Sequence, residues 1–233
     1  MLIPTVDAMA LHETAVDNII RARKTSKVLG NIDKPVCVLA DFQTIVKDLI
    51  EIAGHAPYHY AAHTSHRDNG HNSPVPWRFY PCDDAACNAL INVLNQFDTR
   101  RRLKMQRMLA AAGAMVLVTW LPDPSEDGAP MLDKRNIEHI AAASCATQNL
   151  LLAATARGID NYWSSGGVLR SDEMFTACGI PTNQELLGAI FLFPAIDADC
   201  YDVYPGKMRD KRGEIGDWVA PITADQLSMM RET

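Results

Sequence analysis

The stretch from Ile137 to Arg157 constrains this chain more than any other. No proline or glycine interrupts it before Gly158, and apolar or small residues occupy nearly its whole perimeter. A helix that is apolar almost all round has to be enclosed, so the segment is predicted to lie at the centre of the protein. Gly158 is placed to end it as a left-handed C-terminal residue. Something must surround such a helix. Two continuous apolar runs, Met115–Trp120 and Leu186–Phe193, have strand length and read as strands buried on both faces.

The other elements are amphipathic. Asp7 is placed to cap a first helix whose apolar positions Met9, Leu11, Ala15, Ile19 and Ile20 share one side. A second helix starts near Asp41 and runs through Phe42, Ile45, Val46, Leu49, Ile50 and Ala53, stopped by Gly54 and Pro57. His55–Pro76 reads as a long loop punctuated by Asn69-Gly70, followed by a short strand over Trp77–Tyr80. Asp84–Gln96 and Arg100–Ala112 are predicted helices, and Leu121–Pro130 is a polar, proline-rich loop. Helices outnumber strands, no internal repeat is present, and the fold class is α+β.

A chain of 233 residues with 48% hydrophobic content is read as one globular domain over 1–233. A net charge of −6 argues against a general nucleic-acid or membrane-surface role, so neither is expected as a partner. Cys37, Cys82, Cys87, Cys145, Cys178 and Cys200 show no metal-ligand spacing and are read as reduced thiols, with Cys145 and Cys178 as core fillers. The first ten residues lack a signal-peptide pattern, and the longest apolar run falls short of the ~20 residues a membrane helix requires. A soluble, cytoplasmic protein is expected.

Two basic clusters stand out against this acidic background. Arg23-Lys24-Thr25-Ser26-Lys27 lies at the predicted end of the first helix, and Lys207 and Arg209 lie near the other end of the chain. If the fold closes them on each other they form one anion site, the arginines offering planar forks and the lysines point charges. Solvated surface charge is the alternative for these residues taken alone. The segment Tyr162–Gly167 runs from aromatics through two serines to two glycines, which permits close backbone approach to a flat ligand or serves as an ordinary small-residue connection.

Three further features point less far. His55, His59, His63, His66 and His71 crowd into one loop, but Pro57 interrupts them, no cysteine joins them and Asp68 is the nearby carboxylate, so no metal site is assigned. The run Arg100-Arg101-Arg102-Lys104-Arg107 lacks interleaved aromatics and reads as a solvated helix face backed by Met105, Met108 and Leu109. No G-x-G-x-x-G or phosphate-loop lysine motif is present.

In order along the chain, the basic cluster at residues 23–27, Ala56-Pro57, Pro76-Trp77-Arg78-Phe79, the small-residue helix through Ala141–Ala154, Gly158–Gly167, the Leu187–Ile190 strand, Lys207, Arg209 and Trp218 resemble the nitroreductase-like flavoprotein family. Thr25 replaces the family's serine, and Tyr58 and His59 depart from its small hydroxyl residues. The resemblance implies a nitroreductase-like fold, with a mixed or antiparallel central sheet flanked by helices, and a homodimer binding FMN. It assigns the phosphate to Arg23, Lys207 and Arg209 with Thr25, and the reduced ring's negative charge to Lys27. Lys24, Trp163, Ser164, Ser165 and Gly166 would complete the cofactor site, with Tyr58 and His59 reaching in from the neighbouring subunit. Lys104 or Arg107 could reach the pyrimidine edge. NADH or NADPH would deliver hydride to flavin N5, and an electron-poor acceptor would then take the electrons; no side chain is assigned as catalytic. A dehalogenase, an enone reductase, or a flavin-binding protein for storage or sensing without turnover are the alternatives.

Overall fold

A computed structural model describes residues 6–67, 71–97, 102–124, 133–195 and 201–224, with side chains from residue 14 onward in the first helix. Asp68, Asn69-Gly70, Arg100-Arg101, Cys200, most of the Leu121–Pro130 loop and the side chains of Asp7, Met9 and Leu11 lie outside the described residues.

The sheet is built on β3, Ala114–Trp120, whose seven residues are all buried. It pairs antiparallel with β2 (Trp77–Asp83) on one side and β5 (Glu185–Phe193) on the other, and β4 (Asp160–Ser164) pairs with β5. The order β2-β3-β5-β4 is therefore antiparallel throughout. Because side chains alternate across a strand, Met115 and Leu117 enter one core and Ala114, Val116 and Val118 the other. The first core is closed by α3 (Asp84–Leu94) and α4 (Arg102–Ala111), which supply Leu90, Leu94, Met105 and Leu109. The second is closed by α2 (Ala40–Ala53) and α5 (Lys134–Ala156), with Val46, Leu49, Leu150 and Leu151. Burial on both faces explains the continuous apolar run of β3.

Helix α5 is the predicted long helix, with two differences. It begins one turn earlier, where Asp133 accepts from the Asn136 backbone N–H at 2.8 Å as an N-cap. It is also not enclosed all round: Ala143, Ala146, Leu150 and Ala154 are buried, whereas Ile137 and Cys145 face outward on a single chain. Cys145 is thus exposed, not a core filler, because it falls on the helix side that no other described element covers; Cys178 is half-buried. Gly158 follows the helix with φ 70°, as expected of a left-handed terminator.

Strand β2 extends to Asp83, beyond the predicted Tyr80, because β3 offers pairing along its whole length. A second sheet was not legible in the sequence. It consists of β1 (Ser26–Leu29) and β6 (Asp202–Pro205), paired antiparallel with Ser26 opposite Pro205. Two further α-helices among the described residues are α1 (Val6–Ala22) and the short α6 (Asp172–Ala177). Among the described residues no helix is long and apolar enough to cross a membrane.

Candidate functional site

The β1–β6 pair brings the two basic clusters together. The Gly206 N–H donates to the Thr25 carbonyl at 2.9 Å, extending the ladder by one step. Gly206 has no room for a side chain, since a Cβ there would lie 2.8 Å from the Thr25 Cβ. Arg209 follows and donates from Nη1 to the Arg23 carbonyl at 2.6 Å and from Nη2 to the Arg21 carbonyl. Those carbonyls belong to the end of α1, where helix geometry leaves acceptors unpaired and favours a cation. Burial, and after it the charges of Arg209 and Arg212, hold the Arg23 guanidinium below its usual value. Arg212 is a third member of this group, with no recognisable signal in the sequence. Lys24 and Lys207 are exposed beside it.

Arg107 and Lys104, one turn apart on α4, take different roles. Arg107 donates to the Gly30 carbonyl at 3.1 Å and pairs with Asp202 at 2.8 Å, which anchors β1 and β6 to the helix. Lys104 instead borders a cavity of about 380 Å³ together with Met105, Met108, Tyr162, Ser164 and Ser165. Lys27 reaches toward the same place, its Nζ 5.6 Å from the centre of the Tyr162 ring and 5.9 Å from that of Tyr204. Burial, and then the adjoining Lys104 ammonium, push Lys27 below the usual lysine value. Neither lysine is paired with a carboxylate among the described residues. Two ammonium groups drawn together without a counter-ion leave this pocket short of negative charge.

The opposite wall is the end of β4 and the turn after it. Ser26 Oγ donates to Asp160 Oδ1 at 2.9 Å and ties β1 to the start of β4. Tyr162 and Ser164 face the pocket side, while the Trp163 ring between them packs with the second core, against Gly188. After Ser164 the chain turns: Gly166 has φ 95° and its N–H donates to Ser164 Oγ at 3.3 Å. Arg170 fixes the turn by donating to the Ser165 carbonyl at 2.5 Å and the Leu187 carbonyl at 3.2 Å. Ser165 and Gly167 stay exposed at the rim.

Tyr58 and His59 lie elsewhere on the single chain. Tyr58 stands edge-on to Trp77 at 5.8 Å, and His59 Nδ1 meets Glu138 Oε2 at 2.9 Å near the start of α5. Neither borders the Lys104 pocket. The histidine loop around them is organised by Arg78, whose buried guanidinium donates to five carbonyls, those of His66, His71, Ser73, Val75 and Trp77. Its position after Pro76-Trp77 was the available signal, and nothing in sequence spacing assigns an arginine to carbonyls. Among the described residues no trio of His, Cys, Asp or Glu is placed to hold a metal.

Comparison with known proteins follows the same outline. The model of the Nitroreductase family matches residues 43–192. YfhC of Bacillus subtilis (strain 168), provisionally named an NAD(P)H nitroreductase, is 24% identical over 196 residues, covering 80% of this chain and 87% of its own. The FMN-dependent nitroreductase NfnB of Mycobacterium smegmatis, solved in complex with NADPH, aligns with TM-score 0.59 at 15% identity, over 91% of this chain and all of its own (100%). A nitroreductase of Bacteroides fragilis NCTC 9343 with bound FMN aligns with TM-score 0.53 at 18% identity, over 89% of this chain and 98% of its own. The two solved structures share the fold.

Proposed function

The chain belongs to the Nitroreductase family, and from that premise we propose that it is an FMN-dependent oxidoreductase drawing electrons from NADH or NADPH for an electron-poor acceptor. The observation that carries the reading is the approach of Lys27 to Lys104 and Tyr162 beside a pocket whose lining holds no carboxylate. An anion is the missing partner, and FMN supplies anionic character at its phosphate and, once reduced, at its ring. The Arg23–Arg209–Arg212 group suits the phosphate, the two lysines suit the ring, and Gly167, which lines the pocket with open space where a side chain would stand, leaves room for a flat ligand against backbone.

When bound, FMN would supply the hydride and electron chemistry, and the protein would bind, orient and tune it. Lys27 and Lys104 would favour accumulation of negative charge at the pocket. Tyr162, Met105 and Met108 would keep water from its inner wall. The exposed rim at Ser165 and Gly167 would leave access for donor and acceptor in turn.

A homodimer accords with the uncovered side of α5, where Ile137 is 55% exposed on one chain, and with Tyr58 and His59 standing away from this chain's own pocket. The five free thiols among the described residues accord with a reducing compartment such as the cytoplasm. The test is the cofactor released by heat from purified protein, followed by NADH and NADPH oxidation with quinone and nitroaromatic acceptors. FMN with steady turnover is expected; recovery of FAD alone, or of colourless protein that does not take up FMN, would end the reading.

A further inference from the structure

Lys27 stands directly opposite Tyr204 in the antiparallel β1–β6 pair, so the two side chains share one face of the ladder. The Lys27 ammonium lies over the Tyr204 ring, 5.9 Å from its centre, and over the Tyr162 ring of β4, 5.6 Å from its centre. One cation is therefore in range of two aromatic faces supplied by different strands. Tyr204 is 49% exposed, and its hydroxyl engages no protein group among the described residues. Its ring is the part in use.

A carboxylate would also fix an ammonium at this place, but it would cancel most of the field that the ammonium sends toward a ligand. The acids on the flanking strands are committed elsewhere, Asp202 to Arg107 at 2.8 Å and Asp160 to the Ser26 hydroxyl at 2.9 Å. An aromatic face acts differently. It attracts a cation through its quadrupole and carries no net charge, so the cation is held and its charge persists. The rings also work against burial and the Lys104 ammonium, both of which lower the Lys27 pKa, because a face that attracts the cation favours the protonated form.

We infer that Tyr204, together with Tyr162, is a positioning residue that holds the Lys27 ammonium beside the pocket without neutralising it. The inference rests on the FMN reading above, in which that charge serves the reduced ring. Lys27 approaches two residues that line the pocket, Tyr162 and Lys104, whereas Tyr204 does not line it and acts through Lys27. Strand β6 has other anchors. Arg107 holds Asp202, and the Gly206 N–H donates to the Thr25 carbonyl at 2.9 Å, so loss of the Tyr204 ring leaves the ladder in place.

The test compares Tyr204→Phe, Tyr204→Leu and Tyr204→Glu in the full chain. Side-chain nitrogen NMR follows the titration of Lys27 in each apoprotein, and reduction potentials are measured on the FMN-loaded forms. In Tyr204→Leu, Lys27 should bind its proton about two- to fivefold more weakly. The same variant should lose about two- to fivefold in its preference for reduced over oxidised FMN, roughly 9–21 mV for a two-electron couple. Tyr204→Phe keeps the ring and should give the wild-type value of both. Tyr204→Glu should move the two readouts apart, Lys27 holding its proton more tightly while the potential falls, a signature that loosening of β6 does not produce. Unchanged Lys27 titration in Tyr204→Leu, a Tyr204→Phe protein that behaves like Tyr204→Leu, or a Tyr204→Glu potential at or above the wild-type value would each overturn the assignment. Failure of the wild-type protein to take up FMN would defeat the functional reading by itself, and the Lys27 titration would still decide whether the rings hold the ammonium.

Discussion

The guanidinium of Arg209 donates to the backbone carbonyl of Arg23 at 2.6 Å, so a residue near the chain's end closes the terminus of its first helix. Arg209 therefore has a structural part as well as a charge. Arg209→Ala should loosen the end of α1 and weaken FMN binding, the charge-assisted contribution being ~1.5–3 kcal/mol, or about one to two decades in Kd. Arg209→Lys keeps the charge but not the fork and should lie between. Fluorescence titration of apoprotein with FMN measures both, and Arg23→Ala combined with Arg209→Ala should fall short of additive losses. Unchanged affinity in both single variants would remove the phosphate assignment.

Much of this arrangement was legible beforehand, and the failures share a cause. The burial of β3 follows from its own residues, because an unbroken apolar run satisfies only a strand covered on both faces. The joining of residues 23–27 to 207–209 was readable as complementary chemistry, but the β1–β6 ladder that achieves it was not, since four-residue strands carry too little pattern. Lys104 and Arg107 look alike in sequence. Their separation, one to the pocket and one to Asp202, depends on which face of α4 meets β1, a tertiary fact. Cys145 failed for the same reason: the composition of α5 does not say which of its sides the chain itself covers.

Lys27 gives a pH test with a definite sign. Its folded pKa lies below the ordinary 10.5, so between those two values the unfolded chain binds more protons and the stability of the apoprotein should rise with pH. Below the folded pKa the penalty is fully present. Lys104→Gln removes the second cause and leaves the first, burial, so the rise should shrink without vanishing. Urea denaturation at stepped pH checks this, and identical pH slopes in the two proteins would contradict it.

Thiol labelling reports on the uncovered side of α5. In the single chain Cys37 and Cys145 are both exposed, whereas burial pushes Cys87 well above the usual thiol value and Cys82 up to about 12. Both of these thiols should react slowly with a maleimide, since the thiolate is the reactive form. If a second copy covers α5, Cys37 should label quickly and Cys145 slowly. Equal fast labelling of both, read by peptide mass spectrometry, would place the dimer contact elsewhere or remove it.

The turn that borders the pocket should be sensitive to single methyl groups, and the two glycines that shape it fail differently. At Gly166 an alanine has to adopt φ 95°, a conformation that L side chains rarely take, and its Cβ would lie 2.4 Å from Leu186 Cδ2. The leucine end can swing aside, leaving backbone strain of about 1–3 kcal/mol as the main penalty. At Gly188 the new Cβ would lie 2.3 Å from Trp163 Nε1 and 2.6 Å from the Ser164 carbonyl oxygen, neither of them a flexible end. Relief there requires β4 to move away from β5, which displaces Ser164 and Ser165 from the pocket. Overpacking of this kind is typically worth ~1–3 kcal/mol or more. Gly188→Ala should therefore reduce both thermal stability and FMN affinity, whereas Gly166→Ala should lower stability with a smaller effect on affinity if Leu186 yields. Calorimetric melting and FMN titration of the two variants separate the cases, and a Gly188→Ala protein with wild-type Tm and flavin affinity would show that the packing of Trp163 does not hold the turn in place.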